Sequence, residues 1–227
     1  MAFRLRPPEG DFAPPPMGSH PARLYRIVDC GTQESTFNNE TKRARKLMLS
    51  WELVGTHMPD DEQRRPYTVH ATYTNSTHEK ASLRKLLESW RGRAFTKEEM
   101  EAFDVETLIG KGCYVNIVHK TKGDRVYANI ASVMAAPKGQ AVPPLVNAPL
   151  VFNLDAPDWQ VFNSLSETMQ NKIKQAPEYV EAKEPRHLPD EEVLPGEPNA
   201  EPDGFTDDDW PADSRTGPQE PDDDIPF

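Results

Sequence analysis

Cysteine is nearly absent: Cys30 and Cys113 are the only two, separated by 83 positions with no CxxC pairing. That excludes a disulfide scaffold or a cysteine-rich metal knot and fits a reducing compartment, with each thiol expected as a small buried residue. Long apolar runs are missing too. No stretch of 18 apolar residues occurs, and the start MAFRLRPPEGDFAPPPMGSHP is proline-rich, so neither a membrane span nor a secretory leader is expected. Catalytic signatures are lacking in the same way. There is no GxxxxGK[ST], no GxGxxG, and His78-Glu79 has no second histidine to complete HExxH. No catalytic residue, metal or cofactor is expected.

What is abundant is proline, 23 residues in 227, against only 36% apolar residues and a mean hydropathy of −0.74. Much of the chain therefore has too little apolar surface to pack, and one folded domain with long appendages is the economical reading. The net charge of −11 hides an asymmetry. Residues 178–227 carry 17 acidic and 3 basic side chains, which leaves 20 acidic and 23 basic among positions 1–177, a net of +3. A mildly basic body with an acidic tail fits a protein whose body meets a polyanion, although acidic tails also serve solubility alone.

Residues 1–21 hold six prolines and two glycines and read as an unstructured arm in which Arg4 and Arg6 could touch a polyanion. A first strand follows in ARLYRIVDCG, then a polar loop at 31–41 around Asn38 and Asn39. In RKLMLSWELV, Leu47, Leu49, Trp51 and Leu53 alternate with Lys46, Met48, Ser50 and Glu52, the pattern of a half-buried second strand. YTVHATYT, residues 67–74, is the third.

The period then changes. Ser76 and Glu79 have capping-box spacing, and Ala81, Leu83, Leu86, Leu87 and Trp90 share one helical face before Gly92. A second box, Thr96 to Glu99, opens a short helical segment. CYVNIVHKT and RVYANIASVMAA, joined through Lys122-Gly123-Asp124, predict an antiparallel hairpin of strands four and five. Beyond Pro137 come an extended apolar PLVFNL and a helix from Ser164 to about Gln175, with a Ser164–Glu167 box and a stop at Pro177. The acidic remainder, 178–227, reads as an unstructured tail.

The expected fold is mainly β: a five-stranded OB-fold barrel with added helices, the first helix lying between strands three and four. Cations cluster in the two loops that flank the groove of such a barrel. Lys42, Arg43, Arg45 and Lys46 lead out of the first loop, and Lys120, Lys122 and Arg125 flank the last hairpin. They would neutralise phosphates, or else decorate solvated turns. Among flat side chains, Phe37 and Tyr127 are freest to stack on bases. Trp51, Tyr67 and Tyr73 share faces with apolar neighbours, so stacking and core packing both remain open; Trp90 belongs to the core.

Two stretches carry a resemblance. The end DDDIPF resembles the C-terminal tip of bacterial single-stranded DNA-binding proteins, a run of aspartates followed by an apolar residue, proline and phenylalanine. The segments YRIVDCGTQESTFNNETKRARKLMLSWEL, HEKASLRKLLESWRGRAFT and VYANIASVMAAPKG are similar to single-stranded DNA-binding proteins of tailed bacteriophages, over about residues 22–177. The resemblance implies an OB-fold that coats single-stranded DNA with little sequence preference in replication, recombination and repair, within the cytoplasm of a host cell. It also implies a tail that recruits partner enzymes. PLVFNL and the helix after it are additions to the bacterial pattern, so that family's tetramer is not carried over and a homo-oligomer is left open.

In physical terms the tip offers an aromatic ring and a carboxylate at Phe227 to an apolar pocket rimmed by cations. Asp222, Asp223 and Asp224 would meet basic residues outside it, with Ile225 and a stiffening Pro226 between. The alternatives are an OB-fold interaction adaptor or recombination mediator, and a single-stranded RNA-binding module. Deleting Phe227 alone is expected to abolish capture of tail partners in a pull-down while leaving strand binding intact. Removing residues 178–227 is expected to raise DNA affinity at low salt if the tail folds back on the basic loops.

Overall fold

The computed structural model describes residues 13–37, 40–58, 64–123 and 125–183. The expectations for Arg4, Arg6 and the tip Asp222–Phe227 lie outside these residues, as does the side chain of Phe37. Strands β1 (Gly18–Phe37), β2 (Glu40–His57) and β3 (Pro66–Thr74) come first. They are followed by helices α1 (Ser82–Arg91) and α2 (Lys97–Glu101) and a 3₁₀ turn at Val105–Leu108. Next come β4 (Gly112–Lys122), β5 (Arg125–Met134) and β6 (Leu150–Phe152). Helices α3 (Trp159–Ser164), α4 (Glu167–Lys174) and α5 (Pro177–Lys183) close the described chain. The mainly β, open sheet has the order β3-β2-β1-β4-β5, antiparallel throughout, with β6 added to β1 in parallel at Arg26–Val28. Its end strands β3 and β5 approach to within 8 Å between Cα atoms, without a ladder between them among the described residues.

Two apolar clusters sit on opposite faces of β1 and β2. On the inner face Leu24, Leu49, Trp51, Leu53, Val115 and Ile117 meet Leu83, Leu86, Leu87 and Trp90 of α1. The Trp51 and Trp90 rings lie 6.2 Å apart, Trp90 Nε1 donates to the Gly112 carbonyl at 3.2 Å, and Ser89 Oγ donates to that of Val133 at 2.8 Å. Helix α1 is thereby pinned to β4 and β5. On the outer face Val28, Cys30 and Met48 are buried beneath Phe152, Leu154, Phe162, Leu165, Ile173 and Ala176 of the C-terminal extension.

The second cluster overturns the half-buried reading of the second strand: residues 47–54 are buried on both sides. Even Ser50 and Glu52, each 1% exposed, are covered. Glu52 accepts from Val146 N (2.7 Å), Asn147 N (2.9 Å) and Asn147 Nδ2 (2.7 Å), so its charge is buried but bonded. Arg23, its cross-strand partner, donates to the carbonyls of Gly110, Val142 and Pro143. This pair straps the β5–β6 connection over the sheet.

Several boundaries move. The expected loop at 31–41 is ladder: β1 and β2 stay paired from Thr32↔Arg45 out to Phe37↔Glu40, because a polar ribbon needs only its own hydrogen bonds. The expected arm is shorter, since Gly18–Pro21 already pair with β4, and the expected tail is shorter because α5 includes residues 178–183. Pro177 opens that helix rather than stopping the previous one, as its fixed φ allows at a first helical position. The Thr96–Glu99 capping box forms. The other two do not. α1 starts at Ser82 after Ala81, while Ser76 Oγ accepts from His78 N in a turn, and Ser164 ends α3. The hairpin β4–β5 forms as expected, and both cysteines are buried free thiols whose pKa burial pushes up.

If the extension is part of the fold, truncating its fully buried Ile173 to Ala should cost about 2–4 kcal/mol in urea unfolding. A loss below about 0.5 kcal/mol, typical of surface sites, would show an appended segment instead.

Candidate functional site

The two cationic clusters occupy opposite ends of β1. Gly18 pairs with Ile117, and β4 then runs on to Lys122 beyond the start of β1; the β1–β2 tip lies at Phe37 and Glu40, beyond its other end. Each tip is an exposed two-stranded ribbon, but their charges differ.

On the β1–β2 ribbon most cations already have carboxylate partners. Arg43 Nε donates to Glu34 Oε1 at 2.6 Å, and Lys42 Nζ lies 3.5 Å from Glu40. Lys46 Nζ donates to Thr74 Oγ1 at 2.8 Å. Arg45 grips the buried Asp29 through Nε and a terminal nitrogen, and reaches Asp155 at 2.9 Å. Hydrogen bonding to Asp29 holds its guanidinium even more firmly protonated than usual. Arg45 is thus a structural cation, which corrects its expected role on phosphate.

The β4–β5 hairpin is different. Cys113, Val115, Ile117 and Val133 point to the core, so the alternate positions face out. There Lys120 faces Tyr127 and Lys122 faces Arg125 across the ladder. All four side chains are exposed, Tyr127 at 47%. Among the described residues none of the three cations has an ion pair. The hairpin's foot is tied to the N-terminal segment where His119 Nε2 donates to the Pro15 carbonyl at 2.8 Å.

Of the remaining aromatic candidates, Trp51 is 0% and Tyr67 8% exposed, both inside the inner cluster, so neither can stack on a ligand. Their parity on β2 and β3 turns them inward with Leu49 and Val69. Tyr73 is half-buried at the cluster's edge, and burial pushes its phenol up to about 12, leaving a neutral hydroxyl. Sequence reasoning missed a row across the outer face: Arg26 and His70 both pair with Ser50, Arg26 Nε donating to its Oγ at 3.3 Å. Partial burial, then the positive field of Arg26 and Lys172, lowers the pKa of His70. The outward parity of His70 in YTVHATYT was the available signal; Lys172, arriving from α4, had none.

No protein-family model and no curated protein matches this chain. Among the described residues no helix is long and apolar enough to cross a membrane, and no group of three or more His, Cys, Asp or Glu is placed to hold a metal ion.

The asymmetry between the ribbons is measurable. Arg45→Ala should lower stability by about 2–4 kcal/mol, since it strands the buried Asp29 carboxylate. Lys122→Ala should leave stability unchanged within about 0.5 kcal/mol. Equal thermal melting of both variants would refute the structural assignment of Arg45.

Proposed function

We propose that this protein binds single-stranded DNA with little sequence preference, through an OB-type body, and recruits replication, recombination or repair enzymes through its acidic tail. The observation that carries the reading is Tyr127: an exposed ring on a β-ribbon, with Lys120, Lys122 and Arg125 beside it and no carboxylate partner for those cations among the described residues. A ring for a base face and cations for the flanking phosphates are what a sequence-tolerant strand binder needs. A duplex hides its base faces, so this arrangement favours single strands.

The sheet order supports the finer reading of the fold. Five strands ordered β3-β2-β1-β4-β5, with a helix between the third and fourth and the end strands drawn together, follow the course of an OB barrel. The resemblance to phage single-stranded DNA-binding proteins favours DNA over RNA, a choice that stacking and phosphate contacts alone do not make. The acidic tail, rich in Asp and Pro, is suited to docking on basic, apolar pockets of partner proteins.

Fluorescence anisotropy with the full chain tests the reading. Oligo-dT should bind more tightly than a duplex of equal length. Three phosphate contacts should give a salt dependence with a log–log slope of about −2. Tyr127→Ala should weaken binding by roughly 1–3 kcal/mol. Equal affinity for duplex would remove the single-strand claim, and preference for an RNA oligomer would replace DNA with RNA.

A further inference from the structure

The outward face of β4–β5 carries more than its tip. Down the ladder from Lys122↔Arg125 and Lys120↔Tyr127, the outward pairs are Val118↔Asn129, Asn116↔Ser132 and Tyr114↔Met134. A register shift between Asn116 and Ile117 absorbs one residue of β5 and keeps these pairs on one face. Val118 is 36% exposed, Tyr127 47% and Met134 43%; Met17, one residue before the Gly18↔Ile117 pair, is 65% exposed. Val118, Tyr127 and Met134 thus share one solvent-facing surface, with Asn116, Asn129 and Ser132 between them.

The corresponding face of β1–β2 is closed. Val28, Cys30 and Met48 lie under the C-terminal extension, and Ser50 and Glu52 are each 1% exposed. A strand crossing the middle of that sheet would have to displace a packed apolar cluster. The β4–β5 face has no such roof among the described residues; there Tyr114 donates from its hydroxyl to Gln140 Oε1 at 2.7 Å.

We infer that the outer face of the β4–β5 hairpin, from the Lys122–Arg125 end to Met134, is the track on which the bases of a bound single strand lie, with Val118, Tyr127 and Met134 beneath them. The inference rests on the strand-binding reading above and places its path. Charge selects the occupant. A nucleic acid brings phosphates to Lys120, Lys122 and Arg125 and base faces to the apolar positions, so one ligand matches both kinds of side chain on this face. From Lys122 to Tyr114 the face spans about 27 Å at ordinary strand rise, enough for roughly four nucleotides.

The test uses the full chain and oligo-dT carrying 5-iododeoxyuridine, crosslinked by light and mapped by mass spectrometry. Crosslinks are expected at Tyr127 and Met134. Val118→Thr and Met134→Gln, neutral changes at exposed positions, should each weaken binding by about three- to tenfold without changing the salt slope; Lys122→Ala should flatten it by about 0.7. Crosslinks confined to His70 and Tyr73 on β3, or wild-type affinity in both apolar variants, would overturn the track while leaving strand binding standing. Failure of the full chain to bind oligo-dT at all would instead remove the reading beneath it. A concentration-dependent rise in mass that Met134→Gln abolishes would assign the face to a second copy and overturn the inference.

Discussion

The buried carboxylate of Asp29, 6% exposed on β1, is where three parts of the chain are tied together. It accepts from Gly31 N at 2.9 Å, from Arg45 on β2, and from Leu154 N of the extension at 3.4 Å; Arg45 also reaches Asp155. A carboxylate removed from water is tolerable only with such a set of donors. The ladder between β1 and β2 shifts register between Asp29 and Thr32, and Gly31 within the shift has φ +65°. A Cβ there would lie 2.3 Å from Ala176 Cβ and 2.9 Å from Leu154 Cδ1. Glycine is thus required twice, for the backbone angle and for the close approach of the extension. One residue later, Thr32 donates from N (2.9 Å) and Oγ1 (2.5 Å) to Glu178, fixing α5 at the root of the ribbon.

From this knot follows the division of the surface. Because the extension is anchored at Asp29 and Thr32, its apolar side covers Val28, Cys30 and Met48, and β2 is enclosed between two clusters. That part of the sheet is filled by the chain itself. What stays open lies to either side of this roof, at the outward positions Thr68, His70 and Thr72 of β3 and along β4 and β5. Arg23 and Glu52, paired across the ladder, complete the closure by bonding the backbone of the β5–β6 connection.

Elements whose contacts are local were legible in the sequence. The β4–β5 hairpin is written in its own alternation and turn, α1 in its apolar stripe, and α2 in the Thr96–Glu99 box. What depended on distant partners was not. The strand period of β2 predicts one wet face, and nothing near Met48 or Glu52 announces that residues about 100 positions later will cover it. Arg45 looks like any ribbon cation until Asp29 and Asp155 are placed beside it. Counting cations therefore overstated the first cluster, and counting aromatics overstated Trp51 and Tyr67, whose inward parity was visible but whose depth was not. The ribbon itself was missed for a simpler reason: paired strands with both faces in water need no hydrophobic alternation, so no period marks them.

The ion pairs of the β1–β2 ribbon also set how that ribbon can respond to a polyanion. Arg43 and Glu34 are both well exposed, with side-chain accessibilities of 74% and 56%, and such a pair is worth about 0–1 kcal/mol. A phosphate can take Glu34's place beside Arg43 at little cost, and Lys42 can leave Glu40 as easily. Arg45 cannot be recruited in this way, because withdrawing it would leave the Asp29 carboxylate buried and short of its counter-charge. The ribbon thus has a fixed root and an adaptable tip. The tip's cations have exposed partners that are weakly held, while the residue that keeps the fold together stays where it is.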